Sequence, residues 1–316
     1  MFDFDFLFTL VQHRRKYYIF SAILIGIGLA AMLYSYATTG APFPLGIDFK
    51  SGTRFEVQFT EPATEDQIRT VFNEFGVNNP SVIALRGEGL TNAWQIRSEF
   101  ASPQESAQIV TALETEIAPL LPGTTQVSSV SPALGQEVTR AAILAVSVAT
   151  IAVLFYIMLV FRNVPNSFRY GASAVTAMVH DLFIIMGFAA LTGLFLGWEV
   201  DALFLTAVLT VAGFSLQDTI VTFDRIRENL SRRPREQYEK IVNRSVLETV
   251  HRSLATQMNA MFILVAILLF GGPTIRPFIA VLLVGLLSGT YSSIFIAVPM
   301  LVSWEEGEIP LVSTAS

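Results

Sequence analysis

The 316-residue chain contains no cysteine, which excludes disulfides, thiol chemistry and cysteine-based metal sites and leaves the redox compartment unmarked. Histidine is nearly as scarce, and His13, His180 and His251 are too scattered to form a zinc motif. Charge is thin as well: Lys, Arg, Asp and Glu supply 15% of the residues, where a soluble globular chain carries about 25%. Against these shortages, 52% of the residues are hydrophobic. The composition is that of an integral membrane protein, in which the placement of Lys and Arg matters more than the net charge of −6.

Six apolar stretches are long enough to cross a hydrocarbon core, which takes about 20 residues. They run roughly over 17–37, 141–161, 170–196, 200–223, 253–270 and 278–304. The first follows the basic cluster His13, Arg14, Arg15, Lys16 and exceeds the apolar run of a signal peptide, so it reads as a retained helix. With six alternating spans, the basic residues of the N-terminus, of the linker at 162–169 and of 224–252 all fall on one side. The short loops at 193–200 and 271–275 carry no Lys or Arg. The positive-inside rule then puts both termini in the cytoplasm. The expected organisation is 1–39, N-terminus and first span; 40–139, an extracytoplasmic domain; 140–223, spans two to four; 224–251, a cytoplasmic amphipathic segment; 252–304, spans five and six; and 305–316, a cytoplasmic tail.

The stretch from Gly40 to Arg140 is the one part large enough for a separate domain. TRFEVQF alternates like a strand, and ATEDQIRTVFNEFG places Ile68, Val71, Phe72 and Phe75 at helical spacing before Gly76. PSVIALRG and NAWQIRSEF read as strands, SPQESAQIVTALETEIAPL as a Ser-capped helix, and TTQVSSV as a last strand. The order βαββαβ is the ferredoxin-like split βαβ unit. It holds no Gly-rich phosphate loop and no paired catalytic residues, so a binding or mechanical role is expected. Between spans four and five, the charged segment interrupted at Pro234 fits either a cytoplasmic helical hairpin near the anionic leaflet or an ordinary solvated linker.

Asp218 sits in the apolar part of the fourth span, six residues before Asp224 and therefore roughly 9 Å inside its charged end. An ionisable group at that depth costs about 2.5 to 3.5 kcal/mol and implies a partner. The fifth span returns from the same boundary with Arg252 in its first turns, and Thr256 and Asn259 continue from it at i+4 and i+7 as a polar stripe. Gln217 and Thr219 flank Asp218 as supporting polar residues. His180 and Asp181 stand in the middle of the third span, one turn beyond Thr176, either as functional groups or as interhelical hydrogen-bonding residues. Asp218 with Arg252 is likewise open to a functional or a static structural reading. The pattern Gly285, Ser288, Gly289, Ser292 in the sixth span reads as helix packing.

Three motifs carry a family resemblance. DTIVTFDRIREN (218–229) closely resembles the signature of the SecF family, membrane subunits of the SecD and SecF accessory complex of the bacterial Sec translocase. GIDFKSGT (46–53) and the HD pair at His180 and Asp181 also match. The resemblance extends over nearly the whole chain and implies an α-helical membrane protein of the RND superfamily. Its fold would be six transmembrane helices with one extracytoplasmic ferredoxin-like domain, in the bacterial cytoplasmic membrane. It implies export of secreted preproteins together with SecD and the SecYEG translocon among membrane lipids. It also implies no nucleic acid, no covalent chemistry and no cofactor beyond protons as the coupling ion. The family's intramembrane aspartate and arginine, tied there to proton conduction, fall on Asp218 and Arg252. The chain departs from the family at Gln217, where Asn is usual, and in SLATQMNA after Arg252. The rival readings are an RND-like half exporting small molecules or lipids, and a scaffold that holds the translocon together.

Overall fold

The computed structural model describes residues 9–307 except 78, 79, 86–89, 163, 165 and 273. The tail sequence LVSTAS, parts of the 162–169 linker and the end of the predicted second strand therefore lie outside the described residues. Among those described, six helices are long and apolar enough to cross a membrane: Val11–Thr39, Pro132–Val160, Ser167–Leu196, Ala202–Arg232, Tyr238–Phe270 and Arg276–Glu305. They are the first to sixth spans below. The chain is thus a six-span helical membrane protein carrying a small antiparallel sheet.

The fourth and fifth spans depart from the expected segmentation. Helix does not stop where the apolar residues stop: the fourth runs on to Arg232 and the fifth begins at Tyr238, so that only a short turn around Pro234 joins them. The charged segment is helical on both sides of Pro234, as the hairpin reading expects, but its helices continue the two spans instead of forming a separate element. Arg and Glu are good helix formers, and they pair along these extensions, Arg225 with Glu228 and Glu248 at 2.5 Å each and Arg244 with Glu236 at 2.6 Å.

The domain between the first two spans comprises β1 (Gly52–Gln58), α1 (Glu65–Glu74), β2 (Ser81–Leu85), β3 (Ala93–Ser98), α2 (Pro103–Glu116) and β4 (Gln126–Val130). Strand order is β2-β3-β1-β4, antiparallel throughout, the ferredoxin-like arrangement. Both helices start at capping boxes, Thr64 with Gln67 and Ser102 with Glu105, which satisfy otherwise orphaned N–H groups. The backbone N–H and hydroxyl of Ser102 hold the Glu105 carboxyl below its usual range. Alternation along β1 turns Phe55 and Val57 inward onto Ile68, Val71, Phe72, Ile109 and Leu113. It turns Arg54 and Glu56 to the opposite face, toward the membrane helices.

Within the bundle the sixth span is the most enclosed, and the second and fifth are the least. Close backbone approach sets one crossing: a Cβ on Gly187 would lie 2.7 Å from the Cα of Gly28, so the first and third spans touch where both lack side chains. The sixth span is not a uniform α-helix. A π turn at Ser293–Ala297 precedes Pro299, whose missing N–H removes one rung of the regular ladder.

Candidate functional site

Two polar centres occupy the interior of the bundle. The first surrounds Asp181, which is 1% exposed, halfway along the third span. Three serines from two neighbouring helices aim at its carboxylate. Ser288 Oγ donates to Oδ1 at 2.6 Å, while Ser215 Oγ and Ser292 Oγ donate to Oδ2 at 2.7 and 2.6 Å. The adjacent His180 places Nδ1 3.1 Å from Oδ1. Four groups on two oxygens fill the acceptor capacity of a carboxylate. Because hydroxyls rotate and can accept as well as donate, the cage can hold either protonation state without moving its helices.

The serines enter this position because of their spacing. Ser288 and Ser292 are i and i+4 on the sixth span and so share one face. Gly285 and Gly289, one residue away from that line, let the fourth span come close: a Cβ on Gly289 would sit 3.2 Å from the Cβ of Ser215. The small-residue pattern expected to serve packing therefore does two jobs. Its glycines pack, and its serines are the hydrogen-bond partners of Asp181.

The second centre is Asp218, buried on the fourth span three residues beyond Ser215, about 4.5 Å further along the axis. The expected pairing with Arg252 takes a different form. Asp218 Oδ2 accepts from Gln257 Nε2 at 2.9 Å, and Ser253 is its other side-chain hydrogen-bond partner. Arg252 is close enough for its charge to act on Asp218, yet no ion pair joins them among the described residues, and Arg252 is exposed. The reason is angular. Residues 253 and 257 face the fourth span, whereas 252, 256 and 259 lie about 100° around the helix. Thr256 and Asn259 are exposed on that outer face, with Thr256 Oγ1 returned to the Arg252 carbonyl at 3.0 Å. Gln217 is exposed too, while Thr219 is buried and donates to the Ser215 carbonyl at 3.0 Å. The buried Oε1 of Gln257 has no hydrogen-bond partner among the described residues.

Of the predicted residues, then, the structure brings His180 and Asp181 together, places Asp218 on the fourth span about one turn beyond the Ser215 that contacts Asp181, and turns Arg252, Gln217, Thr256 and Asn259 outward. Sequence reasoning missed Ser21, Ser215, Ser253, Gln257 and Tyr291, and read Ser288 and Ser292 as packing alone. The i, i+4 repeat of serine opposite an intramembrane aspartate was the available signal. No group of three or more His, Cys, Asp or Glu side chains among the described residues is placed to hold a metal ion.

The motif at 46–53 works at the other end of the fourth span. Val200 exchanges backbone hydrogen bonds with Gly46 and Pro44 at 2.7 and 2.8 Å. Asp201 Oδ1 caps the helix through Phe204 N at 2.9 Å, and Asp48 Oδ2 accepts from Ala202 N at 2.9 Å. Burial pushes the Asp201 carboxyl above its ordinary range despite that cap, and Asp48 adds to the effect. On the sheet face Arg97 pairs with Glu199, while burial and the neighbouring Arg54 bring its pKa down to about 10. Gly52, at φ +136°, allows the turn into β1: a Cβ there would stand 2.6 Å from the Ser98 carbonyl oxygen. Between sheet and bundle lies a cleft of about 490 Å³ whose lining includes Arg54, Glu56, Arg97, Trp198, Glu199 and Arg276.

Residues 110–307 match the family model for the protein export membrane protein SecD/SecF, C-terminal, and residues 36–63 match that for the SecD/SecF GG motif. The protein translocase subunit SecF of Anaerolinea thermophila is 42% identical over 297 residues, which cover 93% of this chain and 94% of that protein. The protein translocase subunit SecDF of Bacillus subtilis is 33% identical over 299 residues, covering 94% of this chain and 38% of that longer one. The crystal structure of SecDF, a translocon-associated membrane protein from Thermus thermophilus, aligns with a TM-score of 0.79 at 25% identity, over 97% of this chain and 40% of its own.

Proposed function

This chain belongs to the SecD/SecF family of protein-export membrane proteins, and from that premise we propose that it couples inward proton flow through the Asp218 and Asp181 centres to protein export. It is a multi-pass component of membrane transport rather than an enzyme. The SecDF relatives, which this chain matches over about two-fifths of their length, support a SecD-type partner within the translocase. SecYEG, secreted preproteins and surrounding lipids are the further partners in this reading. The setting is the bacterial inner membrane, with both termini in the cytoplasm and the sheet domain on the far side.

One observation carries the coupling: Asp181 and Asp218, the two buried carboxylates among the described residues, are linked through Ser215 of the fourth span. Asp181 contacts Ser215 directly, and Asp218 follows Ser215 on the same helix. Moving one charge across 100 mV is worth about 2.3 kcal/mol, enough to shift a two-state equilibrium in the sheet domain. Asp218 and Asp181 are the proton-exchanging groups, His180 is their neighbour toward the first span, and Arg252 supplies a positive charge at the outer rim of the Asp218 centre.

Asp218→Asn tests this reading, because Asn keeps the size and some hydrogen bonding but cannot ionise. The variant should insert, accumulate and assemble normally yet lose the gradient-dependent part of preprotein export in inverted vesicles. Full stimulation by the gradient at normal abundance would refute the coupling and favour a scaffold role.

A further inference from the structure

Beyond the two aspartates, hydrogen bonding continues from His180 onto a different pair of helices. His180 Nε2 lies 3.0 Å from Ser21 Oγ on the first span. Ser21 Oγ lies 3.3 Å from Tyr291 Oη on the sixth, and Tyr291 Oη donates to the Tyr17 carbonyl at 3.1 Å. His180 is buried and Ser21 is 4% exposed, whereas Tyr291 is only half-buried. The run therefore begins at Asp181 in the interior and reaches a half-buried tyrosine on the side of Tyr17, toward the end of the bundle that holds the N-terminus. The geometry points to Ser21 and Tyr291 as a hydroxyl relay that carries protons between His180 and water.

Proton counting gives Ser21 its role. Its hydroxyl has one proton and two neighbours. When His180 Nε2 is unprotonated, Ser21 donates to it. When Nε2 carries a proton, the N–H donates to Ser21 Oγ and the serine proton turns to Tyr291 Oη. Transfer outward breaks the His180 N–H bond, forms a new O–H on Ser21, passes the original Ser21 proton to Tyr291 and releases the Tyr291 proton, held at rest on the Tyr17 carbonyl, to a water molecule. One positive charge moves, and each hydroxyl ends with the one proton it began with. The titratable groups facing His180 are Asp181 on its own helix at 3.1 Å and Tyr291 on the sixth span, whose ring centre is 6.0 Å from the imidazole.

Packing holds the relay in register. Tyr291 stacks on Phe295 at 5.1 Å between ring centres and meets Phe20 edge-on at 5.6 Å, and Phe295 also meets Tyr17 edge-on at 4.8 Å. Phe295 belongs to the π turn, so the irregular part of the sixth span supplies the ring against which the tyrosine rests. The glycine contact between Gly28 and Gly187, about two turns along the first span from Ser21, brings that helix close enough for its serine to reach the imidazole.

This relay rests on the proton-coupling reading, and its test separates the two. The full chain is copurified with its SecD-type partner, reconstituted in liposomes, and proton influx under an imposed potential is followed with an internal pH dye. Ser21→Ala and Tyr291→Phe should each lower the flux at least about ten-fold at normal assembly. Ser21→Thr, which keeps a hydroxyl, should stay within about two-fold of the parent and show the parent's solvent deuterium isotope effect. Parent-level flux in Ser21→Ala, with Asp218→Asn blocked, would overturn the relay while leaving the coupling intact. A Ser21→Thr flux as low as that of Ser21→Ala would overturn it by showing that packing, not the hydroxyl, matters. Parent-level flux in Asp218→Asn would remove the coupling and the relay with it.

Discussion

Asp181 and Asp218 are the same side chain, buried in the same bundle on neighbouring helices, but their surroundings differ in completeness. Asp181 has three serines and a histidine from its own chain on its two oxygens. Asp218 has Gln257 and Ser253, with Gln257 Oε1 left unmatched and Arg252 on the outside of the fifth span. A buried polar group lacking partners is costly, more so in lipid than in water. The first centre is therefore self-contained, and the second is half of something. The fifth span, among the least enclosed of the six, presents Arg252, Thr256 and Asn259 on the face where a membrane partner would complete it.

The strongest way to break this contrast is Asp181→Ala, which leaves three inward hydroxyls and a histidine with no common acceptor. We expect about 3 to 5 kcal/mol of lost stability, read as a large fall in the thermal unfolding temperature of the detergent-solubilised chain. Asp218→Ala should cost clearly less, and equal losses would erase the distinction between the centres. A smaller effect is expected at the rim. Arg252→Met should leave the unfolding temperature of the isolated chain within about 0.5 kcal/mol of the parent, as for an exposed site. It should nevertheless reduce copurification of the SecD-type partner, while Arg252→Lys retains more because it keeps the charge without the planar fork. An isolated-chain defect as large as that of Asp181→Ala would show that Arg252 belongs to the interior.

The smallest effect lies outside the membrane, at the cap shared by Asp48 and Asp201. Burial raises the Asp201 pKa, so its folded form binds a proton more readily than its unfolded form. Its charge then costs stability above the raised pKa, and that cost disappears as the pH falls through it. Asp201→Asn keeps a good helix cap and should change stability by less than about 1 kcal/mol near neutral pH, in the favourable direction. It should also flatten the stability–pH curve below neutrality, and an unaltered curve would assign that slope to another group.

Much of this architecture was legible in sequence, and the failures share one cause. The sheet domain could be read because Phe55 and Val57 alternate with Arg54 and Glu56, and because Thr64 with Gln67 and Ser102 with Glu105 announce the helix starts. The six spans followed from apolar length. Hydropathy, however, marks where lipid ends rather than where helix ends, so a helical hairpin around Pro234 could be read but not its continuity with the fourth and fifth spans. Depth in the membrane suggested Arg252 as the partner of Asp218, but depth fixes only the position along an axis. The angle around it separates Arg252 from Ser253, and only the packed bundle sets that angle. Ser288 and Ser292 were ambiguous for a similar reason: a serine is small enough to pack and polar enough to bind, and its neighbour decides.

The fourth span is one unbroken helix, about 46 Å long at 1.5 Å per residue over Ala202–Arg232. Its N-terminal tip is fastened to the segment leading into β1 by Asp48 and by the exchange with Pro44 and Gly46. Its C-terminal tip is tied to the fifth span by Asn229, Ser245 and Glu248. Ser215 and Asp218 lie near its midpoint, as a fulcrum lies under a beam. With arms of about 23 Å on either side, a tilt of only about 5° at the centre swings each tip by about 2 Å, in opposite directions. A rearrangement small enough to fit within the exchange of a few hydroxyl hydrogen bonds would thus arrive at the far domain already enlarged, with no hinge along the way to absorb it.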